Sequence, residues 1–174
     1  MKKYDLILKG ARVLDPSRNM DGAFDVAVKD GKISGLEKEI PAEEGEKVLD
    51  VSGYLLTSGL VAMHCHIYPR FPFEEDGLPT IQGEAHMFRS GVTACVDAGT
   101  CGGRDFLQFK ESVIDRSKLK IFAFVNIASG GMVNLESEQD IQEFQPEIAA
   151  AIAGTYDCVA GIKTAHYWVG RPVD

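Results

Sequence analysis

A chain of 174 residues, 45% hydrophobic and 25% charged, has the composition of a globular protein and the length of one ordinary domain, or of a small domain joined to part of a larger one. Its formal net charge of -8, with no stretch concentrating Lys and Arg, excludes a role in tracking a nucleic-acid backbone. Its apolar runs, such as IFAFVNIA at 121–128, fall well short of the ~20 residues of a membrane helix, and MKKYDLILKG lacks a cleavable signal pattern, so a cytoplasmic protein is expected.

Residues 1–58 carry short alternating or apolar runs separated by turn chemistry: YDLILKGARVLD, DPSRN, FDVAVKDGKISGLEK and KVLDVSGYLL. These are strand and hairpin signals, with a DG pair at Asp30 and Gly31 and a turn opening at Asp15 and Pro16. The segment reads as a small all-β unit. From residue 59 the texture changes. The apolar runs LVAMHCHIY, VTACVDAG, KIFAFVNIAS and CVAGIKTAHY alternate with stretches of helical composition at 79–90, 104–117 and 137–153. Strands alternating with helices imply parallel βαβ units, closed into a barrel or open as a doubly wound sheet. The open flavodoxin-like alternative would bind a phosphate at a helix N-terminus, but the one glycine cluster after a strand, GTCGG at 99–103, fits neither a dinucleotide nor a P-loop pattern.

The four cysteines, Cys65, Cys95, Cys101 and Cys158, have neither CxxC spacing nor the density of a disulfide scaffold, and are expected to be reduced. A thiol nucleophile at Cys65 or Cys101 competes there with the blander reading of a small buried residue. His64 and His66 close the first strand of the α/β segment. At a strand period of two they project to one side, so two imidazoles can approach one metal while Cys65 points to the packed face.

These landmarks in their order, DLILKGARVLDPS, DVAVKDGKISGL, VLDVSGYLLTSGLVAMHCHIYP, GVTACVDAGT and VAGIKTAHY, resemble the amidohydrolase superfamily, particularly its dihydroorotase-like and deacetylase-like members. The resemblance implies an α/β fold: a small β-sandwich segment over 1–58, then about the first four strands of a (β/α)8 TIM barrel over 59–174. It implies that the HxH pair, His64 and His66, binds metal, and that Lys163 in GIKTAH is carboxylated and bridges two divalent ions, zinc being the expected metal. Read by itself, Lys163 is anomalous: a cation at the inner end of a buried strand costs several kcal/mol unless paired or neutralised. Carbamate formation would resolve that, and a side chain snorkelling to solvent is the alternative.

The implied chemistry is hydrolysis of an amide, N-acyl, cyclic amide or ester bond by a metal-activated water. Tyr68 and Arg70 follow the HxH pair and would hold a substrate carboxylate or line a solvated loop. Asp97 ends the second strand and either contacts substrate or caps the next loop, an ambiguity shared by Gly99 and Thr100. Asn126 ends the third strand, where it could offer a donor and an acceptor to a carbonyl or simply build a turn. His166 would lie on the loop after the fourth strand, over the site, and His86, within a helical stretch, reads as structural.

Two departures from the family pattern stand out. Where PGxxDxHxH is usual, this chain has Ser58 before Gly59 and Ala62 two positions before His64, which removes a supporting carboxylate; losses of that kind cost ~10 to 100-fold in metal affinity or activity. A whole barrel also takes ~250 residues, so residues 59–174 are expected to be its first half, without the remaining metal ligands or a general base. Such a piece would either belong to a longer enzyme, assemble with a partner or a second copy that supplies the missing half, or serve as a non-catalytic module.

Overall fold

The computed structural model describes residues 2–69 and 80–165. The chain divides into two compact units, Met1–Ser58 and Gly59–Asp174.

In the first unit the turn chemistry does what its residues dictate. Asp15 accepts a hydrogen bond from the Ser17 amide at 3.0 Å, closing β1 (Tyr4–Asp15) and turning the chain into β2 (Met20–Lys29). Asp30 and Gly31, with φ of 51° and 71°, form the primed turn that fits the twist of a hairpin and joins β2 to β3 (Lys32–Glu37). β4 (Gly45–Asp50) and β5 (Leu55–Thr57) then lie parallel to β1 along its other edge, β4 beside Tyr4–Lys9 and β5 beside Arg12–Leu14. The expected sandwich segment is thus represented, among the described residues, by one five-stranded sheet.

The pleat of β1 breaks at Lys9 and Gly10, where the pairing with β2 jumps from Leu8↔Val26 to Ala11↔Phe24. This bulge turns Ala11 and Val13 onto the same face as Leu8 and Val26, while Tyr4, Ile7, Ala27 and Ile40 form a separate cluster. The bulge is pinned by Asp25, which is buried and accepts hydrogen bonds from Lys9 Nζ, the Gly10 amide at 2.8 Å and the Ile40 amide at 2.9 Å. Burial pushes the Asp25 carboxyl up, but Lys9 and the Ile40 and Gly10 amides outweigh it and hold the pKa below the ordinary value of 3.8. A depressed carboxylate pKa contributes stability that is present above that value and is lost as pH falls through the lower, folded one. Asp25→Ala is therefore expected to lower the unfolding free energy of the chain by about 2–3 kcal/mol at neutral pH, read by urea denaturation, because it strands two amides and leaves the part-buried Lys9 ammonium without its counter-charge, held only by the Ile40 carbonyl at 2.7 Å. The deficit should shrink on acidification below pH ~4; a deficit that stays constant would show that the ion pair is not its source.

Among the described residues the second unit holds a four-stranded parallel sheet in the order β6 (Leu60–Cys65), β7 (Val92–Gly102), β8 (Lys120–Asn126), β9 (Val159–Lys163). Strict sequential order is the winding of a barrel wall; a flavodoxin-like sheet needs its first strand between the second and third, so the open alternative is set aside. The apolar runs read as buried strands are buried in β7 and β8, where Cys95, Ala123 and Val125 are fully enclosed, but CVAGI is not: β9 lies at the edge of the described sheet and Ile162 is exposed. They pack with Phe106 and Phe109 of α2 (Phe106–Ser112) and Ala149 of α4 (Pro146–Thr155) into one core. The connecting helices are shorter than their composition implies. The first is α1 (Gly83–Met87) followed by a 3-10 turn, α2 is likewise followed by one, and the third stretch splits into α3 (Leu135–Gln139) and α4. β6 is an edge strand, which leaves Leu60, Val61 and Met63 exposed, Met63 by 68%. Among the described residues no helix is long and apolar enough to cross a membrane.

Candidate metal centre

His64 is the last residue but one of β6 and His66 lies just past its end, which brings their rings edge to face with centroids 5.2 Å apart. Cys65, between them, turns the other way, is buried, and has its Sγ 3.3 Å from the Val96 carbonyl. The side-chain hydrogen bond with Cys95 and burial push the Cys65 thiol up, so it is an inert core thiol rather than a nucleophile. Cys101 is likewise fully buried.

His66 is oriented by a relay. Its Nδ1 lies 2.9 Å from Thr100 Oγ1, and the Thr100 hydroxyl donates its one proton to Asp97 Oδ2 at 2.9 Å. Thr100 must therefore accept from His66, which places the ring proton on Nδ1 and leaves Nε2 as a bare lone pair. Burial lowers the His66 pKa from its ordinary 6.5, Lys163 and His64 lower it further, and only Asp97 opposes them. The neutral ring, the form that can bind a metal, is favoured.

Asp97 is 0% exposed and holds more than Thr100 Oγ1: it accepts from the Thr100 amide at 2.8 Å and, across the site, from the Ile67 and Tyr68 amides at 2.9 and 3.2 Å. Its carboxylate joins the last part of β7, where the pairing with β8 is interrupted between Ala98 and Gly102, to the segment after β6. The loop-holding side of the sequence ambiguity is the one this geometry displays. Tyr68 is also buried, its ring 4.8 Å from that of Phe109 in the core. Asn126 is buried too, with Nδ2 donating to Gly99 O at 3.2 Å and to Glu138 Oε1 at 2.6 Å while Oδ1 accepts from the Ala128 amide at 3.1 Å. Of the expected substrate contacts, Asp97 and Asn126 are thus buried with their polar groups bonded to backbone and to Thr100 and Glu138, and Tyr68 is buried with its ring against Phe109. Arg70 and His166 lie outside the described residues. His86 is on the exposed side of α1, its Nδ1 3.0 Å from Gln82 O.

Lys163 ends β9 opposite Asn126 in the strand register and is half-buried. Burial lowers its amine pKa from 10.5, with Glu138 and Asp97 pulling the other way, and Nζ is 3.1 Å from the Met132 thioether, a weak acceptor. Its stem lies against Gly99: a Cβ at that position, where φ is +80°, would sit 2.5 Å from Lys163 Cδ. Among the described residues no group of three or more His, Cys, Asp or Glu side chains is placed to hold a metal ion. The donor set is two imidazoles, one locked in the metal-binding tautomer, and a desolvated lysine that carboxylation would turn into an anion. That chemistry fits one wall of a divalent centre. Met132 and Glu138 were not singled out by the sequence reading; they are brought here by the connection between β8 and α4, and no spacing signal marks them.

No family model matches the chain. Among curated proteins it is 32% identical over 137 residues to a dihydroorotase of Geotalea daltonii, covering 77% of this chain and 31% of that protein. It is 30% identical over 149 residues to a deacetylase of Brucella anthropi, covering 82% of this chain and 36% of the relative. The first curated relatives are spanned over only 17–36% of their length. Among solved structures, a dihydroorotase superposes on 91% of this chain and 42% of its own with a TM-score of 0.70 at 22% identity, a likeness of fold. The ordered sequence landmarks, the sequentially wound parallel sheet and these relatives agree: the chain belongs to the amidohydrolase superfamily, matching its dihydroorotase-like and deacetylase-like members over part of their length.

Proposed function

We propose that this chain contributes to a metal-dependent hydrolase acting on amide, N-acyl, cyclic amide or ester bonds. In this reading His64 and His66 hold one divalent ion, zinc by preference, and Lys163 as a carbamate bridges it to a second. The observation that carries it is the Asp97–Thr100–His66 relay, which presents a bare Nε2 beside the second imidazole. Bound divalent ions would supply Lewis acidity toward a carbonyl and lower the pKa of water. The chain's own residues do the rest. Thr100 and Asp97 hold the His66 tautomer, and Gly99 leaves room for the Lys163 stem. Burial favours the neutral amine of Lys163, which is the form that reacts with carbon dioxide, releasing a proton as the carbamate N–C bond forms. Tyr68, Asp97 and Asn126 support the floor on which a substrate rests, and Arg70 and His166 are its direct contacts in this reading. Four free cysteines suit a reducing, cytoplasmic setting.

The test is the metal content of the purified chain by plasma mass spectrometry after desalting, paired with 13C NMR in labelled bicarbonate. About two divalent ions per chain and a carbamate resonance absent from Lys163→Ala are expected, with His66→Ala holding less than one ion. A metal-free wild-type chain would overturn the assignment for this chain.

The exposed apolar residues of β6, with Ile162 exposed on edge strand β9, favour a second element of the reading: further strands, from a longer protein, a partner or a second copy, extend this sheet. A non-catalytic module assembled in the same way is the competing function, and it predicts no metal.

A further inference from the structure

Glu138 is 2% exposed, although it is carried on the short helix α3, where an acidic residue would ordinarily face solvent. The fold of the β8–α4 connection explains this. Ser129 N donates to Glu143 O and Gln145 N to Ile127 O, both at 2.8 Å, so the two ends of the connection are stitched together. Met132 N donates to Thr100 O at 3.0 Å and lays the connection across the last residues of β7. Asn134 caps α3 by accepting from the Ser137 amide at 2.8 Å. The helix is thereby held with Glu138 Oε1 2.6 Å from Asn126 Nδ2.

Enclosing a carboxylate costs several kcal/mol unless charge or hydrogen bonds compensate. Asn126 supplies the hydrogen bond, and its second donor grips Gly99 O, the residue against which the Lys163 stem lies. The charge acts on Lys163, the side chain opposite Asn126 in the strand register.

We propose that Glu138 is a positioning residue of the metal centre, fixing the Asn126 amide and the Gly99–Lys163 contact and supplying negative field toward a bound divalent cation. This rests on the reading above that His64, His66 and Lys163 hold such cations. Glu138→Gln separates charge from shape, because its amide oxygen still accepts from Asn126. The experiment is zinc titration of the full 174-residue chain by calorimetry, with thermal unfolding as the control for fold. Glu138→Gln is expected to bind zinc ~10 to 100-fold more weakly than wild type while unfolding within a few degrees of it, and cobalt-loaded samples should differ in their visible bands. Wild-type binding with equal affinity in Glu138→Gln overturns the proposal and leaves the metal centre standing. Absence of zinc binding by the wild type overturns both. If Glu138→Gln does not fold, the side-chain amide resonances of Asn126 in the 15N-labelled wild type decide: they move on zinc addition if the proposal holds, and unmoved resonances overturn it.

Discussion

Asp97→Ala is expected to lower the stability of the second unit by about 4 kcal/mol, the largest effect of any single truncation near the site. The carboxylate is fully enclosed and accepts from three backbone amides and one hydroxyl. Removing it strands the Ile67, Tyr68 and Thr100 amides away from water, and each orphaned donor costs ~1–3 kcal/mol, with less than full additivity because the loops relax. Asp97→Asn keeps the shape but aims an NH2 group at amide donors, so about half the loss should remain. Urea unfolding followed by tryptophan-independent far-ultraviolet dichroism reads both. A loss below about 1 kcal/mol in Asp97→Ala would mean that these loops are held by other contacts. The same substitution releases Thr100 from its acceptor, so the His66 tautomer is no longer dictated and zinc affinity falls along with stability.

Gly99→Ala is expected to act on the site more than on the fold. The backbone there is left-handed, which costs an alanine about 1 kcal/mol. The larger consequence is steric: the new methyl would lie 2.5 Å from Lys163 Cδ and 2.8 Å from its Cβ, and the latter is fixed to the strand. Either the last part of β7 or the end of β9 must move, for a total of about 2–4 kcal/mol. Because Thr100 is the next residue, the displacement passes to His66 as well. Zinc binding at least 10-fold weaker than wild type is expected, and retention of full affinity would show that the Lys163 stem is free to swing aside.

Much of this arrangement was legible in the sequence because local chemistry decided it. Asp30 and Gly31 specify their turn, and the unbroken apolar runs of β7 and β8 announce strands covered on both sides. Two histidines at strand spacing declare a shared side whatever the rest of the chain does. The remainder depends on contacts distant in sequence. CVAGI reads as a buried strand, yet burial of β9 depends on a neighbour along its open edge, and Ile162 is exposed. Asp97 could equally have faced a ligand; its inward set appears only once the amides of Ile67 and Tyr68, some 30 residues earlier, are brought to it. Glu138 is least legible, since helical composition cannot tell a carboxylate that faces water from one that a returning loop turns inward.

The bulge in β1 works as a phase shift in the pleat. Upstream of Lys9 and Gly10, even positions such as Leu8 share a face; downstream, odd positions such as Ala11 and Val13 take over that face. One strand thereby changes parity once along its length, and the change is stored in chain length rather than in the chemistry of any side chain. The first unit should accordingly accept many exchanges among apolar residues in β1, and a single-residue deletion at the bulge would leave Ala11 and Val13 on the face of Leu8 by plain alternation, whereas a deletion at Arg12 would turn Val13 to Asp15 onto the opposite face.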